Sequence, residues 1–196
     1  MARRPGWFAL GLCCALVFSI GWVPGGVWGS SALCSEQRQD PSSSGFRIVS
    51  AAFKEGQAIP IRFTCEGEGV SPPLRWMEPP GGTRSFALIA EDPDAPAGVW
   101  THWVVYNLPA GVRGMPENVP KQDPLAGGGR QGLNSFGRIG YGGPCPPPGN
   151  AHRYFFRLYA LDSLLSLKPG AARQDVLDAA KGHILGEIQL MGRFKR

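Results

Sequence analysis

Apolar residues recur along the chain in short runs between glycines, prolines and polar residues, which predicts a protein built mainly from strands. Residues 86–90 and 102–106 are continuously apolar or aromatic apart from His102, as is typical of strands buried on both faces. Residues 154–161 give the strongest predicted strand, with one charge in the run. The remaining predicted strands are residues 46–53, 59–64 and 184–194, with an edge strand or turn at 71–76.

One helix is predicted, over residues 171–181. It places Val176, Leu177 and Ala180 on one face, and Gly182 is suited to end it. Short strands at this spacing with one late helix predict a mainly β protein, an antiparallel β-sandwich with a C-terminal helix and long loops.

The longest segment without periodicity spans residues 109–149 and is rich in glycine and proline near its end. Loops of this length are uncommon in a compact domain unless they carry a function. Two interpretations stay open. Its backbone N–H groups face a ligand, since glycine allows close approach, or the loop is a rigid cover with no ligand.

The composition limits the class of protein. The 196 residues are 43% hydrophobic and 18% charged, which fits one globular domain and excludes a disordered chain. The 28 glycines and 19 prolines exclude a helical bundle or coiled coil, and no Gly-X-Y repeat indicates collagen.

The N-terminus has the order of a secretory signal. Arg3 and Arg4 precede the uncharged, apolar residues 7–23, and small residues follow near Gly29 and Ala32, which are two possible cleavage positions. We expect a signal peptide over 1–32, a flexible leader over 33–45, a domain over 46–196, and a secreted or periplasmic protein. The alternative is a membrane-anchored protein that keeps an uncleaved N-terminal segment.

The net charge gives no reason to expect nucleic acid as a partner. The formal charge of +5 falls to +3 when residues 1–32 are removed, because they contain two arginines and no acid. A charge this small does not by itself predict nucleic-acid binding.

Three cysteines remain after the predicted cleavage: Cys34, Cys65 and Cys145. No C-x-x-C pair remains, so neither a zinc ribbon nor a thioredoxin-like site is expected. An exported domain permits a disulfide between Cys65 and Cys145, while two buried free thiols are an equally good interpretation.

Polar side chains with possible chemistry lie at three predicted strand ends. Asp92 and Asp94 follow one buried strand, His102 opens the next, and His152 opens the strongest strand. Loops converge where strands end, so two histidines and two aspartates are expected to meet in one pocket. Each also has an ordinary interpretation, since Asp-Pro opens turns and a histidine at a strand end is often only hydrogen-bonded. The third histidine, His183, is expected to contact the carbonyls at the helix C-terminus.

Common catalytic signatures do not occur in the sequence: there is no G-x-S-x-G, no phosphate-binding G-x-x-x-x-G-K-[ST] and no H-E-x-x-H. A metal site made from His102, His152 and one aspartate is conceivable but not favoured, because its residues come from separate loops. We therefore expect no catalytic residue, no resident metal and no cofactor.

Four motifs together carry a family resemblance: S-P-P-L-R-W at 71–76, D-P-D-A-P at 92–96, W-T-H-W at 100–103, and the glycine-proline run from 140 to H-R-Y at 152–154. In this order and spacing the chain resembles the phosphatidylethanolamine-binding protein family over residues 46–194. The similarity is closer to its bacterial and archaeal Raf kinase inhibitor-like branch. The resemblance implies a Greek-key fold of two antiparallel sheets with a small anion pocket, and a cis peptide, for which Ala95–Pro96 is the first candidate.

The resemblance also implies a ligand site. Its residues would be Asp92, Asp94, His102, Gly142, Gly143, Pro144, Pro147, His152 and Tyr154, with Asp94 as a structural or pocket-edge carboxylate.

The implied function is non-catalytic binding of a small anionic or phosphorylated ligand, such as a phospholipid head group, with possible regulation of a partner protein. The alternatives are inhibition of a secreted protease or other enzyme and, less favoured, a hydrolase that uses histidine and aspartate as acid and base. Eukaryotic kinase partners are not expected of an exported protein. The sequence does not indicate an oligomeric state.

Overall fold

A computed structural model describes residues 45–196 of the chain. It contains eight strands, one α-helix and one turn of 3₁₀ helix. In chain order these are β1 (Arg47–Val49), the 3₁₀ turn (Ile61–Phe63), β2 (Leu74–Met77), β3 (Ser85–Asp92), β4 (Trp100–Pro109), β5 (Gly114–Met115), β6 (Arg130–Gln131), β7 (His152–Leu161), α1 (Arg173–Ala180) and β8 (Ile184–Phe194).

The larger of two antiparallel sheets has five strands in the order β6-β4-β3-β7-β8. Its centre is β3, in which all eight residues are buried, because one face packs on the second sheet and the other lies under the helix. The continuous apolar run at 86–90 therefore predicts its position correctly. The strong strand predicted at 154–161 and the strand at 184–194 are confirmed as β7 and β8.

The smaller sheet has three strands in the order β1-β2-β5. The main core lies between the two sheets, where Trp76 of β2 packs edge-on against Phe86 of β3 at a ring-centroid distance of 5.5 Å. Phe156 of β7 and Phe53 join the same core. The expected antiparallel β-sandwich is confirmed.

The helix covers the outer face of the five-stranded sheet. Val176 is fully buried there with Tyr106 of β4 and Leu161 of β7. Gly182 follows the helix with a φ of 80°, which is the left-handed conformation that glycine adopts at helix ends. The helix predicted over 171–181 is confirmed, with regular geometry over Arg173–Ala180.

The strand predicted over 59–64 is wrong, because this segment forms a 3₁₀ turn. Phe63 N–H donates to the Pro60 carbonyl and Thr64 N–H to the Ile61 carbonyl, at 2.9 Å each. Pro60 lacks an N–H for a strand ladder, and the Thr64 hydroxyl adds a bond to the Ile61 carbonyl. Ile59 and Phe63 are buried while Ile61 is 60% exposed, so the alternation in the sequence belongs to a turn.

Three other elements differ from the sequence expectations. The run at 46–53 forms a strand only over Arg47–Val49. The segment at 71–76 is not an edge, because β2 begins after Pro72 and Pro73 and pairs on both sides. The segment 109–149 contains the short strands β5 and β6.

The cis peptide lies between Asp123 and Pro124, not between Ala95 and Pro96 as expected. The side chain of His183 does not contact the helix carbonyls either. Its Nδ1 pairs with the Asp162 carboxylate at 2.8 Å, and only its backbone N–H reaches the Ala180 carbonyl.

The predicted signal peptide, residues 33–44 of the predicted leader, and Cys34 lie outside the described residues. Within 45–196, α1 and the 3₁₀ turn are both too short to span a membrane.

Candidate functional site

Asp92 and His152 meet at one end of the larger sheet. Asp92 ends β3 and His152 begins β7, and these strands are antiparallel neighbours, so residues 60 positions apart become adjacent. Nδ1 of His152 lies 2.8 Å from Oδ2 of Asp92, and both residues are buried. Because a carboxylate only accepts hydrogen bonds, Nδ1 carries the proton and donates it. This leaves Nε2 of His152 without a hydrogen bond to any residue in 45–196.

The second oxygen of Asp92 is also occupied. Oδ1 accepts the backbone N–H of Asp94 at 2.8 Å, which fixes the turn that follows β3. A carboxylate with both oxygens bonded inside the protein orients its histidine rigidly.

His102 lies on β4, next to β3 in the sheet, and is held by the glycine-proline loop, residues 140–149. Its Nδ1 donates to the Gly142 carbonyl at 2.7 Å, and the Gly142 N–H donates to the His102 carbonyl at 2.8 Å. Burial lowers the pKa of His102 below its usual value, although the Gly142 carbonyl and the Asp92 charge oppose this in part. The free imidazole is therefore neutral near pH 7, with its proton on Nδ1 and a lone pair on Nε2.

Asp92, His102 and His152 line one cleft of about 250 Å³. Its other walls are apolar: the turn after β3, two aromatic rings and the glycine-proline loop. They are Ala95, Pro96, Ala97, Trp100, Phe136, Cys145, Pro146 and Pro147. Few polar groups in an apolar recess are typical of a small-molecule site, and this volume is slightly below the range of about 300–1,000 Å³ for such sites.

Tyr154 lies beside the cleft and does not line it. Its ring packs edge-on against His102, with 5.2 Å between ring centroids, and only 2% of the residue is exposed. Its buried hydroxyl has no hydrogen-bond partner within 45–196. Burial first, and then the charge of Asp92, raise the pKa of Tyr154 far above its usual value, so this hydroxyl stays protonated. The hydroxyl therefore lies near the Asp92 carboxylate, while the ring supports His102 from behind.

The predicted glycine-proline wall is only partly correct. Pro147 lines the cleft, but Pro144 is buried, and its carbonyl accepts the Cys65 N–H at 3.0 Å. Gly142 and Gly143 line a neighbouring cleft instead. A Cβ on Gly142 would lie 2.6 Å from the Phe136 ring, and one on Gly143 would lie 2.9 Å from the Thr64 backbone. Close packing within the protein thus accounts for these two glycines.

Asp94 acts as a structural carboxylate outside the cleft. Its Oδ2 accepts the backbone N–H and Nε of Arg153 at 2.9 Å each, and its Oδ1 accepts Nη2 at 2.6 Å. The side-chain bond to Arg153 lowers the pKa of Asp94 to about 2. This bidentate pair ties the turn with Ala95, Pro96 and Ala97 to the start of β7.

Cys65 and Cys145 form a disulfide, with their Cα atoms 5.3 Å apart. The disulfide joins the glycine-proline loop to the segment after the 3₁₀ turn and places Cys145 in the wall of the cleft. Of the two interpretations left open by the sequence, the structure shows the disulfide.

Sequence reasoning missed the aromatic residues of the cleft. Trp100 lies in the W-T-H-W motif at 100–103 and Phe136 in the long segment 109–149. Neither has a sequence feature that distinguishes it from a core residue. The metal interpretation gains no support, since no group of three His, Cys, Asp or Glu side chains within 45–196 is arranged to hold an ion.

The fold and the site define the class of protein: a two-sheet β-sandwich with a small cleft of two histidines and a buried aspartate at one end. A family model described as phosphatidylethanolamine-binding protein matches residues 49–195. The chain belongs to the phosphatidylethanolamine-binding protein family.

Relatives and solved structures agree with this assignment. The chain is 55% identical to a UPF0098 protein of Methanothermobacter thermautotrophicus, over 74% of this chain and 95% of the relative. The crystal structure of a phosphatidylethanolamine-binding protein homologue from Chlamydia trachomatis matches with a TM-score of 0.72 and 40% identity, covering 79% of this chain and 99% of that one. YbcL of Escherichia coli, described as a new member of the mammalian family, gives a TM-score of 0.72 with 32% identity, covering 77% and 98% of the two chains.

Proposed function

We propose that the protein binds a small anion, a phosphate or the phosphate of a small head group, in the cleft between His102 and His152 and does not transform it. The observation that carries the proposal is the pair of imidazoles in one cleft. Each has its Nδ1 fixed by a protein acceptor and its Nε2 without a partner in 45–196. Two such nitrogens can bind two oxygens of one tetrahedral anion once protons are supplied.

Non-catalytic binding is favoured over a covalent mechanism by the remaining lining residues. They are alanine, proline and aromatic side chains, together with Cys145, whose sulfur is in the disulfide. None of these supplies an activated nucleophile.

The proposal includes an exported protein. A disulfide persists in oxidising compartments and is rare in the cytosol. This agrees with the secretory signal predicted from residues 1–32, and expression with detection of the processed N-terminus by mass spectrometry would test it.

Phosphate binding should strengthen as the pH falls from 8 towards 6. His102 has a lowered pKa and is neutral in the free protein, so its bare Nε2 would repel a fully ionised oxygen. If the ring gains a proton on binding, or if phosphate binds as H2PO4⁻, the complex binds more protons than the free partners, and acidification favours it. Isothermal titration calorimetry with inorganic phosphate in buffers of different ionisation enthalpy measures both the affinity and this proton uptake. The absence of phosphate binding at any of these pH values would contradict the proposed function.

A further inference from the structure

Phe136 is presented by an unusually well-fixed loop. Its N–H donates to Oδ1 of the buried Asn134 at 3.0 Å, and Nδ2 of Asn134 donates to the Gly140 carbonyl at 2.8 Å. Ser135 pairs with Thr101 of β4 through two bonds of 2.9 Å, one from its N–H to the Thr101 carbonyl and one to its hydroxyl from the Thr101 N–H. The backbone on which the ring stands is therefore attached to the sheet that carries His102.

The Phe136 ring is held on three sides and open on the fourth. It packs edge-on against Trp100 and His102, with centroid distances of 5.4 and 5.6 Å, and Gly142 lies behind it with no space for a side chain. The residue is nevertheless 41% exposed. One exposed aromatic residue is ordinary on a protein surface, so exposure alone does not indicate a role in binding. The position of the ring does.

The ring stands between two clefts. Phe136 lines both the anion cleft of about 250 Å³ and the neighbouring cleft of about 440 Å³. Cys145, held in the disulfide, is the other residue that lines both. Phe136 is thus part of the wall between the two clefts, and its removal would open the space next to the histidines towards the neighbouring cleft.

We propose that Phe136 determines the size of the ligand, restricting the site to an anion with a short substituent and excluding anions with bulky groups. The inference rests on the proposed anion site and names the class of ligand that the site accepts. The turn with Pro96 is fixed by the Asp94–Arg153 pair and the loop with Pro147 by the disulfide. The other ring, Trp100, lines the anion cleft alone, so its loss would not connect the two clefts. Phe136 is therefore the side chain whose removal opens the anion cleft towards its neighbour.

The test compares inorganic phosphate, ethyl phosphate and 1-naphthyl phosphate by calorimetry on the wild-type protein and on Phe136→Ala. The wild type should bind ethyl phosphate about as well as phosphate and naphthyl phosphate at least roughly tenfold more weakly, which is the size of discrimination that a misfitting group produces. In Phe136→Ala the two esters should bind within about threefold of each other, because the naphthyl ring enters the neighbouring cleft. The ratio within one protein is the readout, so a general change in affinity does not affect it.

Leu133→Ala is the matched control. Leu133 lies in the same loop, is 39% exposed and lines neither cleft, so its variant should keep the wild-type ratio. Phe136→Leu should give an intermediate ratio and decides the question if the alanine variant does not fold. Equal discrimination in wild type, Phe136→Leu and Phe136→Ala would overturn the inference, as would a wild type that binds naphthyl phosphate as well as phosphate. Failure of the proposed function differs from both, since the wild type would then bind no inorganic phosphate.

Discussion

Replacing His152 by alanine should weaken the binding of inorganic phosphate by roughly 10- to 100-fold, as expected for the loss of a hydrogen bond to a charged group. The variant loses a ligand contact and leaves the Asp92 carboxylate buried without its partner. An unpaired buried carboxylate beside the cleft opposes an anion, so both effects act in the same direction. The gain in affinity on acidification should also become smaller, because one of the two imidazoles that contact the anion is gone. Calorimetry at pH 8 and pH 6 measures both changes.

His183→Ala is the matched control for this variant. His183 also has its Nδ1 2.8 Å from a carboxylate, that of Asp162, but its side chain is 48% exposed and lies outside the cleft. Its removal should leave phosphate affinity and its pH dependence unchanged. If both histidine variants bind phosphate as the wild type does, His152 is not in the binding site.

Removing the disulfide should destabilise the domain by about 4.5 kcal/mol, the chain-entropy value for a closed loop of this length. Cys65 and Cys145 are 80 residues apart, and the chain between them includes β2 to β6, so the unfolded state without the bond gains much freedom. A double variant, Cys65→Ala with Cys145→Ala, should unfold at a much lower urea concentration than the oxidised wild type.

Reduction of the wild type supplies the control for this change. The wild type in excess reductant should unfold like the double variant, and reductant should have no effect on the variant itself. If the double variant is as stable as the oxidised wild type, the disulfide is not part of the stability of the domain.

Four of the five strands of the larger sheet, β3, β4, β7 and β8, could be predicted because their sequence signal is strong, whereas the two-residue strand β6 could not. The residues of β3 are buried on both faces, and the short uninterrupted apolar run at 86–90 is typical of such a strand. The turn at 59–64 could not be distinguished from a strand, since Ile59 and Phe63 are buried and Ile61 is exposed in a pattern that mimics alternation. The interior position of β2 depends on its pairing with β1 and β5, which the prolines before Leu74 do not reveal.

The polar residues of the site could also be predicted from the sequence. Asp92 and His152 stand at the ends of two strong strands, and antiparallel pairing brings such ends together. The role of Phe136 could not be predicted from the sequence, because its place in the cleft depends on the Asn134 and Ser135 contacts of a loop without periodicity. Gly142 and Gly143 were assigned to the wall of the ligand pocket, yet they serve close packing against Phe136 and Thr64. Glycine permits both uses, and the sequence alone does not separate them.

The most direct measurement is a crystal structure of the protein grown in phosphate. The account predicts tetrahedral density in the cleft, with oxygens within hydrogen-bonding distance of Nε2 of His102 and Nε2 of His152, and no comparable density in the neighbouring cleft. Clear density for phosphate elsewhere on the molecule, with neither histidine in contact with an anion, would contradict it.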